Sequence, residues 1–266
     1  MAQFSFDELN QFTKADLIRI IRQKHRERHP DIEEEPEEEE TDRKSLPYRE
    51  YFGDMLLEPE EKERRIQMAD DLEIIFLFLF VWALNNDGMA DTAFSEVYRV
   101  VEDKTWEIVE PYVSTDRKIQ LSPASKQAMD NSIRDYIAKQ TRYVVDNTDK
   151  HFADDYYTSH DRARFISENQ VNGIENDAEM YEAFEGGYTS KTWVAILDKR
   201  TRDTHAEIDG TTLPIAEPFM VGDSLMMYPM DESLGADPEE IVNCRCHVEY
   251  GNEFEDPYDI DESLVI

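Results

Sequence analysis

The sequence predicts an α+β chain: a mainly α-helical body followed by a small C-terminal α+β module. Two observations carry this. From Pro59 to Gly187, apolar residues recur at helical spacing, with helix start and stop signals between the runs. After Gly187 the spacing changes to short alternating stretches broken by Gly210, Pro214, Pro218, Gly222 and Pro229. A third feature, the acidic run EEEPEEEE at 33–40, sets the N-terminus apart from the rest. The expected divisions are 1–45, a basic helix and acidic linker; 46–190, the helical domain; 191–250, the C-terminal module; and 251–266, an acidic tail.

Thr13 and Asp16 have the form of a capping box and open the first helix, LIRIIRQKHRERH. Leu17, Ile20 and Ile21 form its apolar face. Arg19, Arg22, Lys24, Arg26 and Arg28 make the rest basic, the one such cluster in a chain with 61 acidic and 28 basic residues. The balance excludes a general phosphate-coating surface, which needs clustered Lys and Arg. The five cations are therefore the candidates for a DNA contact, against the alternative of a solvated helix face. The run at 33–40 cannot bury apolar surface and is expected to be a disordered linker.

The next helix runs from Pro59 to about Asn85–Gly88 and contains IIFLFLFVWAL, Ile74 to Leu84. These 11 residues are too few for a bilayer span, which needs about 20, so the segment reads as a buried helix and no membrane association is expected. A third helix carries Phe94, Val97, Val101, Trp106 and Val109 and is expected to stop at Pro111. A fourth starts from Ser122 as N-cap with Pro123 behind it and carries Ile133, Ile137, Val144 and Phe152. A fifth begins at RARFIS and closes at Gly186–Gly187. TWVAILD then reads as a strand, IVNCRCHVEY as a closing strand, and the tail from Glu249 lacks Lys and Arg. The N-terminus has no secretory pattern. Two cysteines one residue apart cannot build a disulfide framework, which fits a reducing compartment.

Between Trp193 and His247 lies a dense set of Asp, Arg, His and Cys whose spacing no helix or strand requires. On a strand, Cys244 and Cys246 would share a face and could grip one soft metal ion. His205 could be a third ligand, with Asp198, Asp209 or His247 as a fourth, a set that suits zinc. The alternative is two buried thiols and a hydrogen-bonded histidine. A hydrolase could also use His205 as base, oriented by Asp198 or Asp209, with a cysteine nucleophile activated by Arg245 and His247. No phosphate loop, dinucleotide loop, H-E-x-x-H or G-x-S-x-G supports an enzyme. Arg200, Arg202 and Arg245 are more economically read as paired with nearby carboxylates, which would lock the turns of a module with a small core.

The run Trp193, Asp198, Arg200, Thr201, Arg202, His205, Asp209, Gly210 continues with Pro218-Phe219, Pro229-x-Asp231 and Asn243-Cys244-Arg245-Cys246. In this order, and after the lead-in Arg162–Ser167, it resembles the tailed-phage minor head protein family, also called head-morphogenesis or Mu F-like, over about 160–248. Two positions depart from it: the family usually has Pro-Gly-Asp where Met230 stands, and often Thr-Glu at Asn169-Gln170. The resemblance implies a non-enzymatic virion protein present in few copies inside the phage head. It would be built in during assembly in the host cytoplasm, with the portal protein and the major capsid or scaffold protein as partners and phage DNA as a further contact. It assigns Trp193, Asp198, Arg200, Arg202, Asp209, Gly210, Asp231, Asn243 and Arg245 to a structural motif.

Overall fold

A computed structural model describes residues 11–30, 51–53, 55–88, 94–114 and 119–254. The acidic run at 33–40 and the tail beyond 254 lie outside the described residues. The fold is α+β: long helices first, then short strands. The helices are α1 (Lys14–Arg28), α2 (Pro59–Asn85), α3 (Phe94–Ser114), α4 (Pro123–Lys150), α5 (His160–Glu185), α6 (Asp203–Glu207) and α7 (Pro238–Ile241). A 3-10 turn occupies Asp155–Thr158. The strands are β1 (Ser190–Val194), β2 (Thr212–Pro214), β3 (Phe219–Val221), β4 (Ser224–Met226) and β5 (His247–Gly251). The chain divides into two compact units. Of the described residues, the first holds 11–30, 51–53, 57–88, 94–114 and 134–171; the second holds 55–56, 119–133 and 172–254.

In the first unit α2 packs against α1, α3 and the 3-10 turn. Its apolar run is buried on most sides, including Phe76, Phe78, Leu79, Phe80 and Val81, as the all-round hydrophobicity requires. No helix among the described residues is long and apolar enough to cross a membrane. Glu73 is also fully buried, and its carboxylate lies 2.6 Å from both Lys14 Nζ and His160 Nε2. A carboxylate this deep is tolerable only when cations and donors surround it.

Helix α1 has the expected capping box, with Thr13 and Asp16 each bonding the other's backbone N–H. Leu17 and Ile21 are buried, so α1 is a packed member of the unit. Its cations do not form one free array. Arg28 donates to the Phe152 carbonyl at 2.7 Å and pairs with Asp155 at 3.2 Å. Arg19 pairs with Asp16 at 2.9 Å, and Lys24 lies 3.7 Å from Glu27.

Helix α3 runs through Pro111 to Ser114 rather than stopping at the proline. In the last turn a proline removes one backbone donor but leaves the following residues free to finish the turn. Helix α4 starts as expected, Ser122 Oγ accepting from the Ser125 N–H at 3.2 Å. It stops at Lys150, so Phe152 falls in the turn beyond it. Helix α5 closes at Gly186–Gly187, where Gly187 takes φ +70° and Tyr188 N–H returns to the Ala183 carbonyl at 3.1 Å.

In the second unit β1 is the centre of an antiparallel sheet of order β2-β1-β5. Trp193 pairs with Val248, and Thr192 with both Thr212 and Glu249. β3 and β4 form a separate hairpin. The core gathers Trp193, Phe219, Val221, Met226, Met230, Ile241, Cys244, Cys246 and Val248.

Candidate functional site

Both cysteines precede β5 rather than lying in a strand. The reason is local: α7 ends at Ile241, and Asn243 takes φ +61°, a left-handed turn that asparagine tolerates. The turn nevertheless brings both thiols to one place. His205 Nδ1 lies 3.3 Å from Cys246 Sγ and 3.5 Å from Cys244 Sγ. The three ligand atoms fall within 4.8 Å of one another, and all three residues are buried. His205 is presented by α6 and packs edge-on against Trp193, with ring centroids 5.6 Å apart.

The fourth-ligand candidates are not in this group. Asp198 is taken by arginines, Asp209 Oδ1 accepts the Ala195 N–H at 2.8 Å, and His247 sits in β5 outside the cluster. The carboxylate that orients His205 is one the sequence did not single out. Glu240, in α7, places Oε2 3.0 Å from His205 Nε2 and accepts the Thr204 hydroxyl at 2.8 Å. Burial pushes the Cys244 thiol up, but hydrogen bonds from Cys246 and His205, with the imidazole's charge, hold it well below its usual value. The contact with Cys244, and then burial, push Cys246 up. Burial pulls His205 down, and its bond to Cys244 outweighs this and raises it.

Thiol, imidazole and carboxylate in line have the order of a nucleophile, its base and its orienter. Access is what the site lacks. The cleft lined by His205, Cys244 and Cys246 has a volume of ≈ 10 Å³, about one water molecule. Small-molecule sites need roughly 300 Å³ or more.

The rest of the motif locks turns. Asp198 Oδ1 receives Arg245 Nη2 at 2.6 Å and the Arg200 N–H at 2.8 Å, and Arg200 Nη2 reaches Oδ2 at 3.1 Å. The Arg245 bond foremost, with the Arg200 bonds, holds Asp198 well below the usual carboxylate range. Arg202 caps the Val242 carbonyl. Gly210, at φ +71°, returns its N–H to the Trp193 carbonyl at 2.8 Å. Asp231 accepts the Met227 and Ser233 N–H groups, each at 2.8 Å. Between Pro229 and Asp231, Met230 takes φ +71° with its side chain buried. This is the position where a glycine would be unstrained.

Two further anchors come from α5. Asn172 Nδ2 donates to the Cys244 carbonyl at 2.8 Å, and Asn176 Nδ2 to the Pro229 carbonyl at 3.2 Å. The amides are four residues apart and so share a helix face. That spacing was the available signal, and it is indistinguishable in sequence from an ordinary polar face.

The family model described as phage Mu protein F like protein matches residues 126–249. The match begins well before the segment the motifs mark out and takes in most of α4. No curated protein and no solved structure matches the chain. Over residues 126–249 the chain is thus similar to the phage Mu protein F like family.

Proposed function

We propose that the chain is a minor head protein of a tailed bacteriophage. It enters the procapsid in few copies beside the portal protein, contacts the major capsid or scaffold protein, stays in the virion, and assists head assembly and DNA packaging or exit. The observation that carries this reading is the Mu F-like match over 126–249. The closed His205–Cys244–Cys246 site supports a structural rather than enzymatic role, since a cleft of ≈ 10 Å³ admits no substrate. The engagement of Arg28 with Asp155 and Phe152 supports α1 as part of the folded body. A contact with phage DNA through Arg19, Arg22, Lys24 or Arg26 is secondary to that role.

The test is quantitative mass spectrometry of purified virions of the phage that encodes the chain. The expected result is its peptides at a small fraction of the major capsid protein's abundance. Their absence from infectious virions overturns the proposal.

A further inference from the structure

We propose that His205, Cys244 and Cys246 hold one zinc ion that cross-links α6 to the turn before β5, with the fourth position left to a water molecule. The donors are a buried imidazole and two buried thiols, the borderline-soft set that zinc favours over calcium or magnesium. Their separations fit one ion. Zinc bonds of about 2.3 Å to sulfur and about 2.05 Å to nitrogen at tetrahedral angles place the two atoms about 3.6 Å apart. The Nδ1–Sγ distances are 3.3 and 3.5 Å.

Glu240 supplies the remaining element of such a site. With an ion bound, Nε2–H would donate to Oε2, 3.0 Å away, and the neutral ring would give its single Nδ1 lone pair to the metal. Binding would release the protons that His205 and the two thiols hold without metal, and the ion would use all three donors at once. The Cys246 N–H points at Cys244 Sγ at 3.4 Å, the kind of donor that stabilises a ligating thiolate. Two thiolates, a neutral imidazole and Zn²⁺ sum to zero charge, so the group can be buried without leaving an uncompensated ion. The ≈ 10 Å³ cleft beside it fits one water and nothing larger.

The ion would bind α6 to the turn before β5, joining residues 39 and 41 positions apart. A module of short strands gains most from such a cross-link. The inference stands independently of the head-protein reading, because it concerns the purified chain alone.

The experiment uses the full chain purified on a tag that does not bind metal, without added zinc or chelator. Elemental analysis is expected to give about one zinc per chain. Exchange into cobalt should produce the visible bands of a tetrahedral ion with sulfur-to-metal charge transfer. Strong chelation should lower Tm by roughly 10 °C or more, reversed by zinc. Cys246→Ser and His205→Ala should lose the metal. Where such a variant fails to fold, the cobalt spectrum of the unmodified chain decides. Zinc below about a tenth per chain, with Tm indifferent to zinc and chelator, overturns the proposal. So does a metal retained in the folded variants, or a cobalt spectrum without sulfur charge transfer.

Discussion

Replacing Asp198 should cost more than replacing Arg245, although the two share one ion pair. The Arg245 side chain is 5% exposed and Asp198 is 32% exposed, with 2.6 Å between them. Asp198→Asn leaves a buried guanidinium facing a neutral amide. Breaking a fully buried pair costs roughly 3–5 kcal/mol. Water reaches part of Asp198 and the asparagine oxygen can still accept one bond, so the expected loss is about 2 kcal/mol. Arg245→Met removes the buried charge along with the pair and leaves Asp198 within reach of water and Arg200, so its cost should stay below about 1 kcal/mol.

The pH dependence follows from the same bond. Asp198 is depressed in the folded state, so its contribution is fully present above the ordinary aspartate range and is lost as pH falls below it. The gap between the parent chain and Asp198→Asn should therefore be widest near neutrality and close in acid, from about pH 4 downward. The assay is urea unfolding followed by Trp193 fluorescence with Trp82 and Trp106 replaced by Phe, since these are the other tryptophans of the chain. Equal costs for the two substitutions, or a gap as wide at pH 3 as at pH 7, would refute the reasoning.

Three other outcomes follow from the same unit. Asn172→Ala strands the buried Cys244 carbonyl that it caps at 2.8 Å and should lose about 1–3 kcal/mol in the same urea assay; a loss under about 0.5 kcal/mol contradicts the anchor. Gly222→Ala puts a Cβ 2.9 Å from Glu240 Oε1 at φ +58°, so it should cost about 1–2 kcal/mol and make the buried thiols react faster with a thiol reagent as Glu240 shifts. Lys191 is buried, and burial pushes its ammonium down from an ordinary 10.5 to about 8. The unfolded chain therefore holds more protons at this position between those values, so the stability of the parent chain relative to Lys191→Met should rise with pH across that window, by up to about 3 kcal/mol.

The long helices were legible because burial repeats with helical period. Thr13–Asp16, Ser122–Pro123 and Gly186–Gly187 mark ends with side chains or glycines whose chemistry is local. Pro111 misled because a proline's effect depends on how many turns follow it, which spacing alone does not give. The Cys-Arg-Cys turn was read as strand because its alternation mimics one; the left-handed Asn243 that breaks it has no period. Within the cluster, His205 and both cysteines stood out by residue type. Glu240 did not, because one glutamate in a chain with 61 acidic residues carries no signal until the fold sets it against a ring nitrogen. The pairing of Asp198 with Arg245 was legible only as a preference for carboxylate partners.

The register of the sheet sets a schedule for synthesis. β1 leaves the ribosome well before β5, yet Ser190 must pair with Gly251 and Trp193 with Val248. Until β5 is translated, one edge of β1 and its buried tryptophan have no partner strand. Such long-range pairing is slow and leaves the nascent module open to wrong strand partners. A ribosome stalled before residue 247 would hold α1 to α5 complete and the module unclosed. Closure of the module is thereby deferred until nearly all of the described residues have been made.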